Sequence, residues 1–406
     1  MKTVVEESGV GELAINGGQP VRSDFLPLTR PWIGEEEKQE VLDTLNGVWL
    51  SRGPKVSRFE DEFKKYTGAN HAIALSSCTA ALHVAVVAAN IKEGDEVITT
   101  PITFPATTNA ILYERAVPVL VDVDRRTLNI DPSLIEKSIT SRTKAIIPVH
   151  MAGQPCDMTE IMDIARRRNL IVIEDAAHAI GASYGNKRVG SLADAGCFSF
   201  YASKNLVTGD GGMLTVHDDK FAEFSRVIGL HGMSTNAWKR YSKEGTPNWE
   251  LVYPGFKYNM TDIQASLGIH QLQKIETITS LREKWSQLYD ELLADIPELT
   301  LPYRAHGRRH ACHLYVITLH IERLRVSRDR FLALLKAENI GCGIHFVSVH
   351  MQPYYANRFG YKRDDYPNAE WLSDRILSLP LYPQMTKDDV HDVVKAVRKV
   401  VAQTRK

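Results

Sequence analysis

The chain has 406 residues, of which 44% are hydrophobic, 24% charged and 8% aromatic, with glycine and proline at ordinary levels. Collagen-like, low-complexity and largely disordered chains are excluded on that composition. Its 49 Lys and Arg cancel 49 Asp and Glu, so no basic excess supports nucleic-acid binding by phosphate neutralisation.

No apolar run is long enough to suggest membrane insertion, and Met1-Lys-Thr-Val-Val-Glu-Glu-Ser8 lacks the apolar core of a signal peptide. A cytoplasmic location is expected. The five cysteines (Cys78, Cys156, Cys197, Cys312 and Cys342) are scattered and never at CxxC spacing. They read as buried free thiols rather than as disulfides or metal ligands.

From residue 70 the chain alternates short β-branched runs with helical patterns. Strands are predicted at Ala72–Leu75, Glu96–Thr99, Pro118–Val121, Ala145–Val149, Leu170–Glu174, Gly196–Phe200 and Met213–Val216. Helices are predicted at Thr79–Ala89, Ser133–Ile139 and Asp157–Arg168. Apolar strands separated by helices imply an α/β domain with a mostly parallel sheet. Ser234–Glu250, rich in polar and aromatic residues, reads as an exposed loop long enough for a lid or an interface. Asp262–Tyr289 reads as one long amphipathic helix. Then come Leu314–Leu319, a helix near Ser327–Glu338, Gly341–Phe346 and a last helix from Lys387 to Ala402. The expected division is a large α/β domain over 14–260 and a smaller α+β domain over 261–406.

Three segments carry candidate chemistry. In Ala74-Leu-Ser-Ser-Cys-Thr-Ala-Ala-Leu82 a strand runs into hydroxyls and a helix start, either a phosphate cradle or an ordinary N-cap. In Leu170-Ile-Val-Ile-Glu-Asp-Ala-Ala-His178 a strand ends in carboxylates, which either hold a cation or protonated ring nitrogen or cap a turn. In Cys197-Phe-Ser-Phe-Tyr-Ala-Ser-Lys-Asn-Leu-Val-Thr-Gly-Asp-Gly-Gly212 a lysine follows a strand, either an imine-former with a pKa lowered by desolvation or a surface lysine on a loop. Gly209-Asp-Gly-Gly212 is not a dinucleotide fingerprint. Phosphate cradle, strand-end carboxylate and lysine are together the set that pyridoxal 5'-phosphate (PLP) requires.

In these segments, and in Gly53-Pro-Lys-Val-Ser-Arg-Phe-Glu60 and Gly255-Phe-Lys-Tyr-Asn-Met-Thr-Asp262, the chain resembles the DegT/DnrJ/EryC1/StrS family of PLP-dependent nucleotide-sugar aminotransferases, from about Asn16 to the C-terminus. The resemblance implies fold type I and a cofactor that alternates between PLP and pyridoxamine phosphate. It implies Lys204 as imine-former and proton shuttle, Asp175 at the pyridine nitrogen and His178 near the ring hydroxyl. Ser199, Thr79 and the Cys78 N–H would bind phosphate, Phe104 and Ala177 would flank the ring, and Asn259 would reach the neighbouring subunit's cofactor in a homodimer with shared sites. The family usually has glycine where this chain has Cys78. Relatives that dehydrate carry histidine in place of the lysine, so Lys204 implies amino transfer.

The implied reaction is ping-pong transfer from L-glutamate to a nucleotide-linked keto sugar. Gly341-Cys-Gly-Ile-His-Phe-Val-Ser-Val-His350 resembles members that aminate a UDP-linked 4-keto pentose, which marks His345 as a candidate contact with the nucleotide diphosphate or sugar, and Lys257 and Arg240 are candidates to offer positive charge to the diphosphate. Tyr201 stands where those members have histidine, so a UDP- or dTDP-linked 4-keto-6-deoxyhexose fits as well. Amination at C3 and a non-catalytic cofactor- or nucleotide-sugar-binding regulator are the alternatives.

Overall fold

The computed structural model describes residues 11–234 and 250–406. They form two compact units. One contains the described residues up to Arg30 with Ser280–Tyr303 and Leu314–Lys406, and the other contains Pro31–Thr279 with Arg304–His313. This division differs from the expected boundary between 260 and 261. The helix that begins at Asp262 packs on the two earliest helices of the larger unit, α1 (Glu35–Asn46) and α2 (Pro54–Thr67), and the chain re-enters that unit at 304–313.

The larger unit is built on seven strands: β1 His71–Leu75, β2 Glu96–Thr99, β3 Val117–Leu120, β4 Thr143–Ile146, β5 Ile171–Asp175, β6 Ala195–Ser199 and β7 Gly212–Val216. Their order across the sheet is β1-β7-β6-β5-β4-β2-β3. All pairings are parallel except those of β7, which is antiparallel to β1 and to β6. The mostly parallel sheet expected from the sequence is present, with strand ends within three residues of the predicted ones. Strands β2, β6 and β7 are buried along their whole length, as a sheet covered on both faces requires.

Alternation along the strands sorts the core into two faces. Ile73, Leu75, Val97, Ile173 and Leu214 face α3 (Cys78–Ala88) and α4 (Ala106–Tyr113). Ala72, Ala74, Phe198, Phe200 and Met213 face the other way. The small alanines leave room for Phe59 and Phe63 of a helix at Pro54–Thr67, whose rings pack within 5.0–5.3 Å of Phe198 and Phe200.

The predicted helix Asp262–Tyr289 is two helices, Asp262–Gln273 and Ile275–Leu293. They part at Lys274 (φ -93°, ψ -3°), whose ammonium contacts Glu37. The apolar stripe continues across the break, so periodicity alone reads one helix. Most of Ser234–Glu250 lies outside the described residues, but its ends meet, Ser234 N–H donating to the Glu250 carbonyl at 2.9 Å. The smaller unit has an antiparallel sheet of Leu299–Thr300, Tyr315–Leu319 and Ile376–Leu379, with helices at Arg328–Ala337 and Lys387–Thr404. All five cysteines are buried free thiols. No helix among the described residues is long and apolar enough to cross a membrane.

Two of the sequence motifs are joined by one carboxylate. Asp262, fully buried, accepts from the N–H groups of Gly53 (2.8 Å), Lys55 (3.1 Å) and Val56 (3.0 Å), capping the helix that starts at Pro54. A Cβ at Gly53 would lie 2.6 Å from the Asp262 carboxylate, so glycine permits the approach. Asp262→Ala leaves three N–H donors of that helix start, one of them buried, without their acceptor. It is expected to lower the unfolding free energy by about 2–3 kcal/mol in a urea titration, and a loss below about 0.5 kcal/mol would show that the cap does not stabilise the fold.

Candidate active site

Strands β1, β2, β5 and β6 end along one edge of the sheet, the edge at which ligands collect in open α/β folds. Beyond β1, Ser77 is extended (φ -165°, ψ 165°) and its Oγ accepts the Ala80 N–H at 3.1 Å, capping α3. The Ser76 N–H is engaged by the Tyr258 carbonyl at 2.6 Å. The N–H groups of Cys78 and Thr79, in the first turn, have no intrahelical acceptor. Gly212 pairs with Leu75 on one side and Ser199 on the other, which sets Ser199 in the same row as the helix start. A Cβ at Gly212 would collide with the Ser77 carbonyl group and come within 2.6 Å of the Cys78 nitrogen, so the cradle depends on glycine there. Cys78, in place of the family's glycine, keeps a negative φ. Its Sγ turns inward to 3.5 Å from the Cys197 carbonyl, and burial pushes the thiol pKa up.

The two carboxylates ending β5 point to opposite faces. Glu174 is fully buried and accepts from His150 Nε2 (2.9 Å), Gly190 N–H (3.0 Å), Leu192 N–H (3.0 Å) and Ala193 N–H (3.2 Å). His150 Nδ1 accepts the Cys156 N–H, which leaves the proton on Nε2 for Glu174. That carboxylate ties down a loop. Asp175 accepts from Thr107 Oγ1 at 2.7 Å and from the Ala177 N–H at 3.1 Å. Burial raises its pKa against those two bonds and against the charge of Lys204. A carboxylate held so suits a protonated ring nitrogen, whose charge would return it to the ionised form.

Lys204 sits in a hairpin between β6 and β7. Phe200 N–H donates to the Gly211 carbonyl (2.9 Å), Thr208 N–H to Phe200 (2.8 Å) and Lys204 N–H to Tyr201 (2.9 Å). Next to it, buried Asn205 donates to the Ala311 carbonyl at 2.8 Å and meets His313 Nδ1 at 3.1 Å. The His313 ring lies 4.5 Å from that of buried His178. Desolvation lowers the Lys204 amine to about 8, so a usable fraction is unprotonated near neutral pH.

The other expected residues divide. Phe104 follows β2 with 59% of its surface exposed. Ala177 lies two residues after Asp175 and donates its N–H to that carboxylate. Asn259 donates to the Met260 carbonyl (3.1 Å) and to Ser51 Oγ (3.4 Å), and its Oδ1 accepts from Lys257, so two expected binding residues contact each other. His345 lies in the smaller unit, Nδ1 at 2.9 Å from Ser378 Oγ. Arg240 lies outside the described residues. Sequence reasoning missed Thr107 and the Asn205–His313 pair. Thr103 and Thr107, four apart where β2 gives way to a helix, carried a readable signal.

Cradle, buried Asp175 and low-pKa Lys204 are gathered at one sheet edge and fit pyridoxal phosphate. Residues 31–398 match the model of the DegT/DnrJ/EryC1/StrS aminotransferase family. The chain belongs to that family. It is 50% identical over 381 residues to the spore coat polysaccharide biosynthesis protein SpsC of Bacillus subtilis, covering 94% of this chain and 98% of that one. The putative sugar aminotransferase Spr1654 of Streptococcus pneumoniae, solved in PLP and PMP forms, matches at TM-score 0.87 in the PMP form, with 28% identity over 93% of this chain and 99% of that one. PseC of Helicobacter pylori, an aminotransferase involved in pseudoaminic acid biosynthesis, also matches at 0.87, with 28% identity over 94% and 100%. The protein is thus a PLP-dependent sugar aminotransferase of fold type I.

An amine with a pKa of about 8 is roughly one quarter neutral at pH 7.5, against about one part in a thousand for an ordinary lysine. The rate at which the apoenzyme takes up pyridoxal phosphate should therefore rise with pH and level off above about 8. Stopped-flow absorbance would show it, and a rise continuing to pH 10 would mean that Lys204 is not desolvated.

Proposed function

We propose that the enzyme carries the amino group of L-glutamate, by a ping-pong route, to C4 of a UDP- or dTDP-linked keto sugar. The observation that carries the reading is the low-pKa Lys204 at the same sheet edge as the buried carboxylate Asp175. When bound, pyridoxal phosphate supplies the electron sink for removing a proton from Cα. The chain's own part is to anchor the phosphate on Cys78 and Thr79 N–H, the Thr79 hydroxyl and Ser199. Asp175 holds the ring nitrogen's proton, His178 attends the ring hydroxyl, and Phe104 and Ala177 flank the ring. Lys204 Nζ, once free, takes the proton at Cα and returns it to the cofactor carbon in the donor half-reaction.

A polysaccharide role is supported by the likeness to SpsC and a nucleotide sugar by the family resemblance, with His345, Lys257 and Arg240 as the residues proposed to meet the substrate. Asn259 is assigned to the phosphate of the partner's cofactor, which makes the active enzyme a cytoplasmic homodimer. Exposed Val48 (90%), Leu251 (63%) and Val252 (58%) in the larger unit supply apolar surface for that contact. Tyr201, in place of histidine on the turn that bears Lys204, makes a 4-keto-6-deoxyhexose a candidate sugar beside a 4-keto pentose, and amination at C3 is the second reading. The domain division proposed is a cofactor-binding unit and a smaller C-terminal one.

Purified enzyme should show a yellow band that bleaches with L-glutamate and returns with a panel of UDP- and dTDP-linked 4-keto and 3-keto sugars, the responding member naming carbon and nucleotide. Lys204→Ala should still bind the cofactor but lose at least about 10⁴-fold in kcat. Activity in that variant beyond a residual trace would overturn the assignment of Lys204.

A further inference from the structure

Thr107 is the second residue of α4 and its side chain is fully buried. Its Oγ1 lies 2.7 Å from Asp175 Oδ2 and 2.7 Å from the Oγ1 of Thr103, itself 1% exposed. The Phe104 carbonyl, at 3.3 Å, is a second possible acceptor, but a carboxylate at 2.7 Å is the stronger one. Each hydroxyl has one proton. Thr107 gives its proton to Asp175, so the proton between the two threonines comes from Thr103. The chain of donors runs one way, Thr103 to Thr107 to Asp175 Oδ2, while the Ala177 N–H at 3.1 Å holds Oδ1. Two fixed donors, one per oxygen, define the plane of the carboxylate.

We propose that Thr107, backed by Thr103, is a positioning residue that fixes the orientation of Asp175 toward the pyridine nitrogen of the cofactor. This rests on the reading of Asp175 as the ring-nitrogen partner. Thr107 acts through Asp175 and is assigned no contact with substrate. Its hydroxyl also favours the charged carboxylate in a site where burial disfavours it, as do the Ala177 N–H and the charge of Lys204. Without the hydroxyl the proton shared between carboxyl and ring nitrogen moves toward the carboxyl, and the ring becomes a weaker electron sink.

The test reconstitutes the full-length apoenzyme with pyridoxal phosphate labelled with ¹⁵N in the ring. It measures the cofactor dissociation constant by fluorescence and the ring-nitrogen chemical shift by NMR. Thr107→Val, which keeps the volume, should weaken cofactor binding about tenfold or more and move the nitrogen toward its neutral-pyridine position. Thr107→Ser should restore both. Thr103→Val, which removes only the second donor, should move both in the same direction by less, and it serves alone if Thr107→Val does not fold. If Asp175→Asn disturbs affinity and shift while Thr107→Val and Thr103→Val leave them at parent values, the role given to Thr107 is wrong and that of Asp175 stands. If Asp175→Asn also leaves both unchanged, the underlying reading of Asp175 falls, and the role of Thr107 with it.

Discussion

The register across β1, β7 and β6 is the constraint on which the site depends. Gly212 stands opposite Leu75 and opposite Ser199 at once. Because β7 is antiparallel to both neighbours, the start of β7 lies beside the ends of the other two. Strands about 4.8 Å apart then bring the α3 helix start, the Ser199 hydroxyl and the hairpin of Lys204 to one edge. A register slip of one residue would turn every side chain of β7 to the other face. It would take Leu214 out of one core and Met213 out of the other, so hydrophobic packing on both faces holds this edge in place. The absence of a side chain at Gly212 is then what lets the backbone of Ser77 and Cys78 come close.

Two neighbouring carboxylates show how one strand separates structure from chemistry. Glu174 has four donors and no capacity left for a ligand. Asp175 has two side-on donors and a pKa that burial pushes upward. Adjacent positions on a strand face opposite ways, so the pair needs no mutual compensation. Lys204 completes the contrast, since the burial that raises the carboxyl also lowers the amine. Both shifts bring the groups nearer to neutrality before a ligand enters, and a charged cofactor then offsets part of the desolvation.

Much of this was legible in the sequence because both the chemistry and the packing use short, local patterns. The β-branched runs located every strand of the large sheet, and their ends located Asp175, Ser199 and the α3 start. The resemblance singled out Asp175 over Glu174, a choice that composition and spacing leave open. Contacts between distant segments were not legible. Asn205 meets Ala311 and His313 more than 100 positions away, and Thr107 reaches Asp175 over 68. The break at Lys274 was hidden because an apolar stripe crosses it without interruption, and the boundary between units was hidden because the chain enters the larger unit twice.

The carboxylate of Asp262 gives the enzyme an unusual kind of modularity. Residues 53–56 and residue 262 are separated by about half the chain, yet one side chain caps the first and opens the helix of the second, three residues after Asn259. Asn259 also touches Ser51, whose carbonyl accepts the Asp262 N–H. The loop before the helix at Pro54 and the loop that carries Asn259 are therefore one mechanical part made from two distant pieces of sequence. In a chimera built from two relatives, exchanging either loop alone would leave a mismatched joint. The two must travel together, and selection acting on one constrains the other.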